Sequence, residues 1–92
     1  MIDLTEELIR IKREGRAAVL ATITGAEENG KVEPGQKCLI RDGKVKTGTI
    51  RHDELLQAIL KESEVRLKEE RSKLLPLDLP GTGEKVEVFF EV

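Results

Sequence analysis

The apolar positions change period along the chain, and each change marks an element. Leu4, Leu8, Ile9 and Ile11 form a partial helical stripe. Asp3 or Thr5 can cap that helix, and Asp3 with Glu6 has the spacing of a capping box. Lys12 and Arg13 suit its last turn and Gly15 ends it. Residues 17–24 (Ala-Ala-Val-Leu-Ala-Thr-Ile-Thr) then run without a charge. Such a run predicts a strand covered on both faces and central in a sheet. Residues 25–30 read as a polar loop, and Glu33-Pro34-Gly35-Gln36 has the residues of a type II turn.

Asp42-Gly43 lies between two β-capable runs, residues 37–41 and 44–50, which predicts a type I′ hairpin. In that register Ile40 faces Val45 and Cys38 faces Thr47 on the covered side. Asp53 is placed to cap a long helix over residues 54–71, with Leu55, Leu56, Ile59, Leu60 and Leu67 as its apolar stripe. The later half of that helix is dense in charge and reads as solvated. Glu62–Arg66 and Glu64–Lys68 have the favourable i,i+4 order, worth ~0.2–0.5 kcal/mol each. Residues 74–79 contain Pro76, which predicts an edge strand or extended connector. Gly81-Thr82-Gly83 makes a tight turn into a last strand over residues 85–92. Phe89 and Phe90 are adjacent and must point to opposite faces, so that strand lies inside the sheet or presents one face to a partner.

This order predicts one α+β domain over residues 1–92: a small mixed sheet of about five strands with two helices. Composition is consistent with it. A chain of 92 residues supports a single modest core, and 38% apolar residues, mostly Leu, Ile, Val and Ala, can fill it. The net charge of −2, with Phe89 and Phe90 as the only aromatics, gives neither a strong basic field nor a stacking platform, so nucleic acid is not an expected partner. No apolar run is long enough to cross a bilayer, and the acidic N-terminus is wrong for a signal peptide. One cysteine excludes an internal disulfide. Together these readings predict a cytoplasmic protein with no membrane association.

No residue set predicts catalysis. Cys38 shares a face with Ile40 and reads as a core thiol. His52 has no second imidazole or cysteine pair to complete a metal site, and reads as an exposed residue just ahead of the helix cap. Gly81-Thr82-Gly83-Glu84-Lys85 lacks P-loop spacing and leads into a strand. The carboxylates are scattered, so no catalytic and no metal residue is assigned. Residues 49–52 join a strand end to a helix start, where free amides make a generic anion site, although Asp53 and Glu54 already occupy the first turn.

Taken in order, five pieces resemble one family. They are Ala18-Val19-Leu20-Ala21-Thr22-Ile23-Thr24, then Pro34-Gly35-Gln36-Lys37-Cys38-Leu39-Ile40, then Asp42-Gly43-Lys44-Val45, then Gly48-Thr49-Ile50, and Val86-Glu87-Val88-Phe89-Phe90-Glu91 after the long helix. The chain is similar, from about Gly15 to Glu91, to the N-terminal domain of the XdhC/CoxI family, accessory factors for molybdenum hydroxylases such as xanthine dehydrogenase and carbon monoxide dehydrogenase. The resemblance implies a non-enzymatic protein that binds molybdenum cofactor, or a molybdenum hydroxylase or its maturation machinery. Three loops are implicated, residues 34–37, 48–54 and 81–85. Lys37, Arg51 and Lys85 would supply positive charge, Gly48, Thr49 and Thr82 backbone or hydroxyl donors, and His52 sits among them. The sequence departs from the family where a Gly-Gly-Cys element is replaced by Arg51-His52-Asp53-Glu54, and where a Cys-Gly-Gly element is replaced by Thr82-Gly83-Glu84. The alternative is a ligand-free interaction or regulatory module on the same scaffold, as a homo-oligomer through the Phe89/Phe90 strand.

Overall fold

A computed structural model describes residues 4–13, 17–28, 30–79 and 83–92. Its elements in chain order are α1 (Leu4–Arg13), β1 (Ala18–Ala26), β2 (Lys37–Arg41), β3 (Lys44–Gly48), α2 (Asp53–Glu69), β4 (Lys73–Asp78) and β5 (Lys85–Glu91). The strands form one sheet in the order β3-β2-β1-β5-β4. The uncharged run is indeed its central strand, paired with β2 on one side and β5 on the other. The sheet is not mixed, because every pairing is antiparallel. The reason is topological. α2 carries the chain from one edge strand to the other, so it joins no two neighbours and creates no parallel pair.

Charge-free β1 is covered on both faces. On one side Val19, Ala21, Ile23, Cys38, Ile40, Val86, Val88 and Phe90 pack with Leu55 and Ile59 of α2. On the other, Ala18, Leu20 and Leu39 pack with Leu4 of α1. Each large side chain so buried contributes roughly 1.5–3 kcal/mol. Ile9 of the expected α1 stripe is instead exposed. The capping and terminating roles expected of Asp3 and Gly15 fall outside the described residues. Among those residues no helix is long and apolar enough to cross a membrane.

Asp42 (φ 54°) and Gly43 (φ 73°) take the two positive-φ positions of the hairpin turn. Ile40 pairs with Val45 as its spacing requires, but Cys38 pairs with Gly48 and Leu39 with Thr47. A register shift between Leu39 and Ile40 separates the two halves, so the expected Cys38–Thr47 pair does not form. Val45 is exposed rather than covered, on a strand at the edge of the sheet. Pro76 sits on the opposite edge, where its missing N–H costs no ladder bond. β5 is interior, as a strand with two covered faces should be.

The expected cap of α2 is corrected by one residue. His52, not Asp53, is the N-cap: its backbone is extended and its Nδ1 accepts the Leu55 N–H at 3.2 Å. Asp53 and Glu54 lie in the first turn, where they favour the helix dipole. The helix ends at Glu69, and Glu70 takes a left-handed conformation with its N–H directed to the Arg66 and Leu67 carbonyls. The later half of α2 is also less solvated than its charges suggest. Ser63 and Arg66 continue the buried line of Leu55 and Ile59. Ser63 satisfies its hydroxyl on the Ile59 carbonyl at 2.7 Å, and Arg66 is bracketed by Glu62 at 3.0 Å and by Glu69. A buried guanidinium is tolerable only with such pairing.

Candidate functional site

β1 outruns β2 by several residues. Its pairing with β2 ends at Thr22–Lys37, while its pairing with β5 continues to Ala26–Val86. The loop after β1 folds back over the uncovered segment. Ile23 donates its N–H to the Gln36 carbonyl at 2.8 Å, and Gly35 donates to the Ile23 carbonyl at 2.7 Å. The type II turn closes as expected, with Gln36 N–H on the Glu33 carbonyl at 3.3 Å and Gly35 at φ 93°.

Lys37 is the hub of this end. Its N–H donates to Thr49 Oγ1 at 3.0 Å, and its carbonyl accepts the Thr49 and Ile50 N–H groups at 2.7 and 3.3 Å. Gln36 Nε2 donates to the Thr49 carbonyl at 3.3 Å. Gly48 lets the two segments meet: a Cβ there would lie 2.3 Å from the Lys37 carbonyl oxygen and 2.6 Å from Cys38 Cα. Arg51 is exposed and donates through Nη1 to the Gly48 carbonyl at 3.2 Å. His52 is half-buried, not exposed, because its ring is turned onto the helix start. An Nδ1 that accepts must be unprotonated, so the geometry assigns the proton of the neutral ring to Nε2.

Lys37, Gly48, Thr49 and Arg51 thus form one connected cluster, and His52 follows it in the chain, bonded to Leu55. Lys85 belongs to a second, on the β5 side of the same sheet end. Its N–H donates to Glu27 Oε2 at 2.7 Å, and the Lys31 N–H donates to Glu84 Oε2 at 3.1 Å. Beside them is an open depression of about 320 Å³ that includes Glu27, Pro76, Lys85 and Glu87 in its lining. Thr82 lies outside the described residues. Gln36, Glu27 and Glu84 carry much of this wiring and were not singled out in the sequence. Only Gln36 had a local signal, its place directly after Pro34-Gly35.

The two halves differ in what they can hold. Carboxylates dominate the Glu27–Lys85 half, which repels an anion. The Lys37–His52 half keeps further Arg51 N–H groups, the Thr49 hydroxyl proton and His52 Nε2–H as donors, whereas Lys37 joins it through its backbone and, alternating with Cys38, shares the face of Leu39 opposite α2. Asp53 and Glu54 of the first helical turn lie next to these donors in the chain. This half offers no thiolate, since burial pushes the Cys38 thiol from an ordinary 9.0 up to about 12. Among the described residues no three His, Cys, Asp or Glu side chains group to hold a metal ion.

The Cys38 shift has a direct test. The native thiol stays protonated at pH 8, so iodoacetamide is expected to leave it unmodified, while urea-unfolded protein is alkylated. Ready alkylation of the folded protein would contradict the burial. The linkage has a definite sign. Below pH 9 the thiol is protonated in both states and its contribution is fully present. As pH rises from 9 toward 12 only the unfolded thiol ionises, and stability falls.

A family model described as the XdhC and CoxI family matches residues 11–78. That span contains the whole Lys37–His52 cluster and stops short of Thr82 and Lys85. No curated protein matches the chain.

Proposed function

The chain belongs to the XdhC and CoxI family, and on that premise we propose that it is an accessory protein in the maturation of molybdenum hydroxylases. It binds molybdenum cofactor, or the client enzyme that receives it, without turnover. The observation that carries this reading is the Lys37–His52 segment inside the matched residues, where the Lys37 backbone, Thr49 and Arg51 are joined at one sheet end. A terminal phosphate of the pterin is the group its donors suit, through Arg51, Thr49 and His52, with Lys37 and Gly48 holding β2 against the 48–52 segment. Thr82 and Lys85 are assigned a lesser part, Lys85 because Glu27 and Glu84 flank it.

The test is retention of pterin fluorescence when the protein is mixed with molybdenum cofactor and passed through a sizing column. Wild-type protein is expected to carry the pterin, and Arg51→Glu to lose most of it while still showing a cooperative melting transition. Loss of fluorescence from wild type counts against cofactor binding.

One observation favours a second reading, a ligand-free interaction or regulatory module, including a homo-oligomer. Thr49 Oγ1, His52 Nδ1 and one Arg51 nitrogen are already engaged inside the chain. Co-purification with an apo-hydroxylase in the absence of pterin, or a mass that rises with concentration, supports it.

A further inference from the structure

Charge is unevenly distributed along this chain. Residues 37–51 hold Lys37, Arg41, Lys44, Lys46 and Arg51 against the single acid Asp42, a net of +4 within a chain of net −2. The remainder therefore carries −6. The β2–β3 hairpin holds most of that positive segment at one edge of the sheet.

β3 has one strand neighbour, and Lys44, Val45, Lys46 and Thr47 are all exposed. Arg41 and Lys44 flank the two-residue turn and form its closing hydrogen-bonded pair. The next pair, Ile40 with Val45, is then the non-hydrogen-bonded one. The N–H and C=O of Val45 accordingly point away from β2, toward the open edge. The other edge, β4, is blocked at Pro76. Pairing of β3 with β3 of a second copy would set Lys44 and Lys46 against like charges, which is unfavourable.

We infer that the β3 edge is a docking site for an extended acidic segment of a partner protein, added as a sixth strand beside Lys44, Val45 and Lys46. The backbone of Val45 supplies main-chain hydrogen bonds, and Lys44 and Lys46 select carboxylates on the incoming strand. The same lysines that deter self-association give this edge its preference. The inference does not rest on cofactor binding, because Lys44, Val45 and Lys46 make none of the contacts of the Lys37–His52 cluster.

The experiment is an amide-shift titration of isotope-labelled protein with a short peptide alternating Glu and Val, and with its Lys/Val counterpart. The Glu/Val peptide is expected to move the amides of residues 44–47 and to slow hydrogen exchange at Val45. The Lys/Val peptide is expected to bind about tenfold or more weakly. Combining K44E with K46E is expected to reverse that preference, and V45P to abolish binding of the Glu/Val peptide while the melting transition persists. The charge-reversal protein changes only exposed side chains and decides the matter if V45P does not fold. Equal response to the two peptides, shifts centred away from β3, undiminished binding by folded V45P, or a single-stranded RNA that moves these amides when the peptide does not, would each overturn the inference.

Discussion

Gly48→Ala is expected to lower stability by about 3 kcal/mol or more, and the thermal midpoint by roughly 12 °C or more, in a chain of this size. The added methyl would sit 2.3 Å from the Lys37 carbonyl oxygen and 2.6 Å from Cys38 Cα. Both atoms are backbone, so no side-chain rotation relieves the clash. Either β2 or the end of β3 must move, and β2 is held by β1 through five paired positions. Displacing β3 strains the two bonds that the Lys37 carbonyl accepts and the Arg51 bond to the Gly48 carbonyl. Each is worth about 0.5–1.5 kcal/mol. The φ of 157° adds to the preference for glycine. Gly35→Ala is the control, since its φ is 93° but a Cβ there meets nothing within 4 Å. It is expected to cost only about 1–2 kcal/mol. Thermal melts followed by circular dichroism separate the two. A Gly48→Ala midpoint within about 4 °C of wild type would show that the strands can part without penalty.

What the sequence revealed and what it hid divide along the range of the interaction. The uncharged run of residues 17–24, Asp42-Gly43 and Pro34-Gly35 act within a few residues, and each produced the strand or turn that its chemistry dictates. The strand directions did not follow, because the antiparallel sheet depends on α2 spanning both edges, a property of the assembled layers. His52 was passed over as the cap because Asp53 is the better capping residue in isolation; the chain's entry into the helix puts the imidazole, not the carboxylate, against Leu55. Ser63 and Arg66 looked solvated because polarity usually means exposure, yet each brings its own partner on the helix. At the candidate site, residues 49–52 were legible as a strand–helix junction. Glu27 and Glu84 were not, since their partners Lys85 and Lys31 lie 58 and 53 residues away. This hidden acidic pairing sets the Glu27–Lys85 contacts apart from those that join Lys37 to Thr49.

Phe90→Ala is expected to be the other severe substitution, at about 3–5 kcal/mol. Phe90 has no exposed surface and packs in the core between sheet and α2, beside its register partners Ala21 and Lys73. Removing the ring leaves a cavity that the neighbouring Ala21, with a single methyl, cannot fill. Against a total stability of about 5–15 kcal/mol for a domain of ordinary size, that loss moves the urea midpoint far toward water. Phe89 gives the contrast that makes the experiment decisive. It lies one residue away on the opposite face, half-buried beside Thr22 and the exposed Leu74. With part of its ring already in water, Phe89→Ala is expected to cost about 1–2 kcal/mol. Backbone context, strand position and side-chain chemistry are matched in the two proteins, so the difference in midpoint measures the cover on each face. A cost for Phe89→Ala equal to that for Phe90→Ala would mean that the β4–β5 part of the α1 face is also sealed.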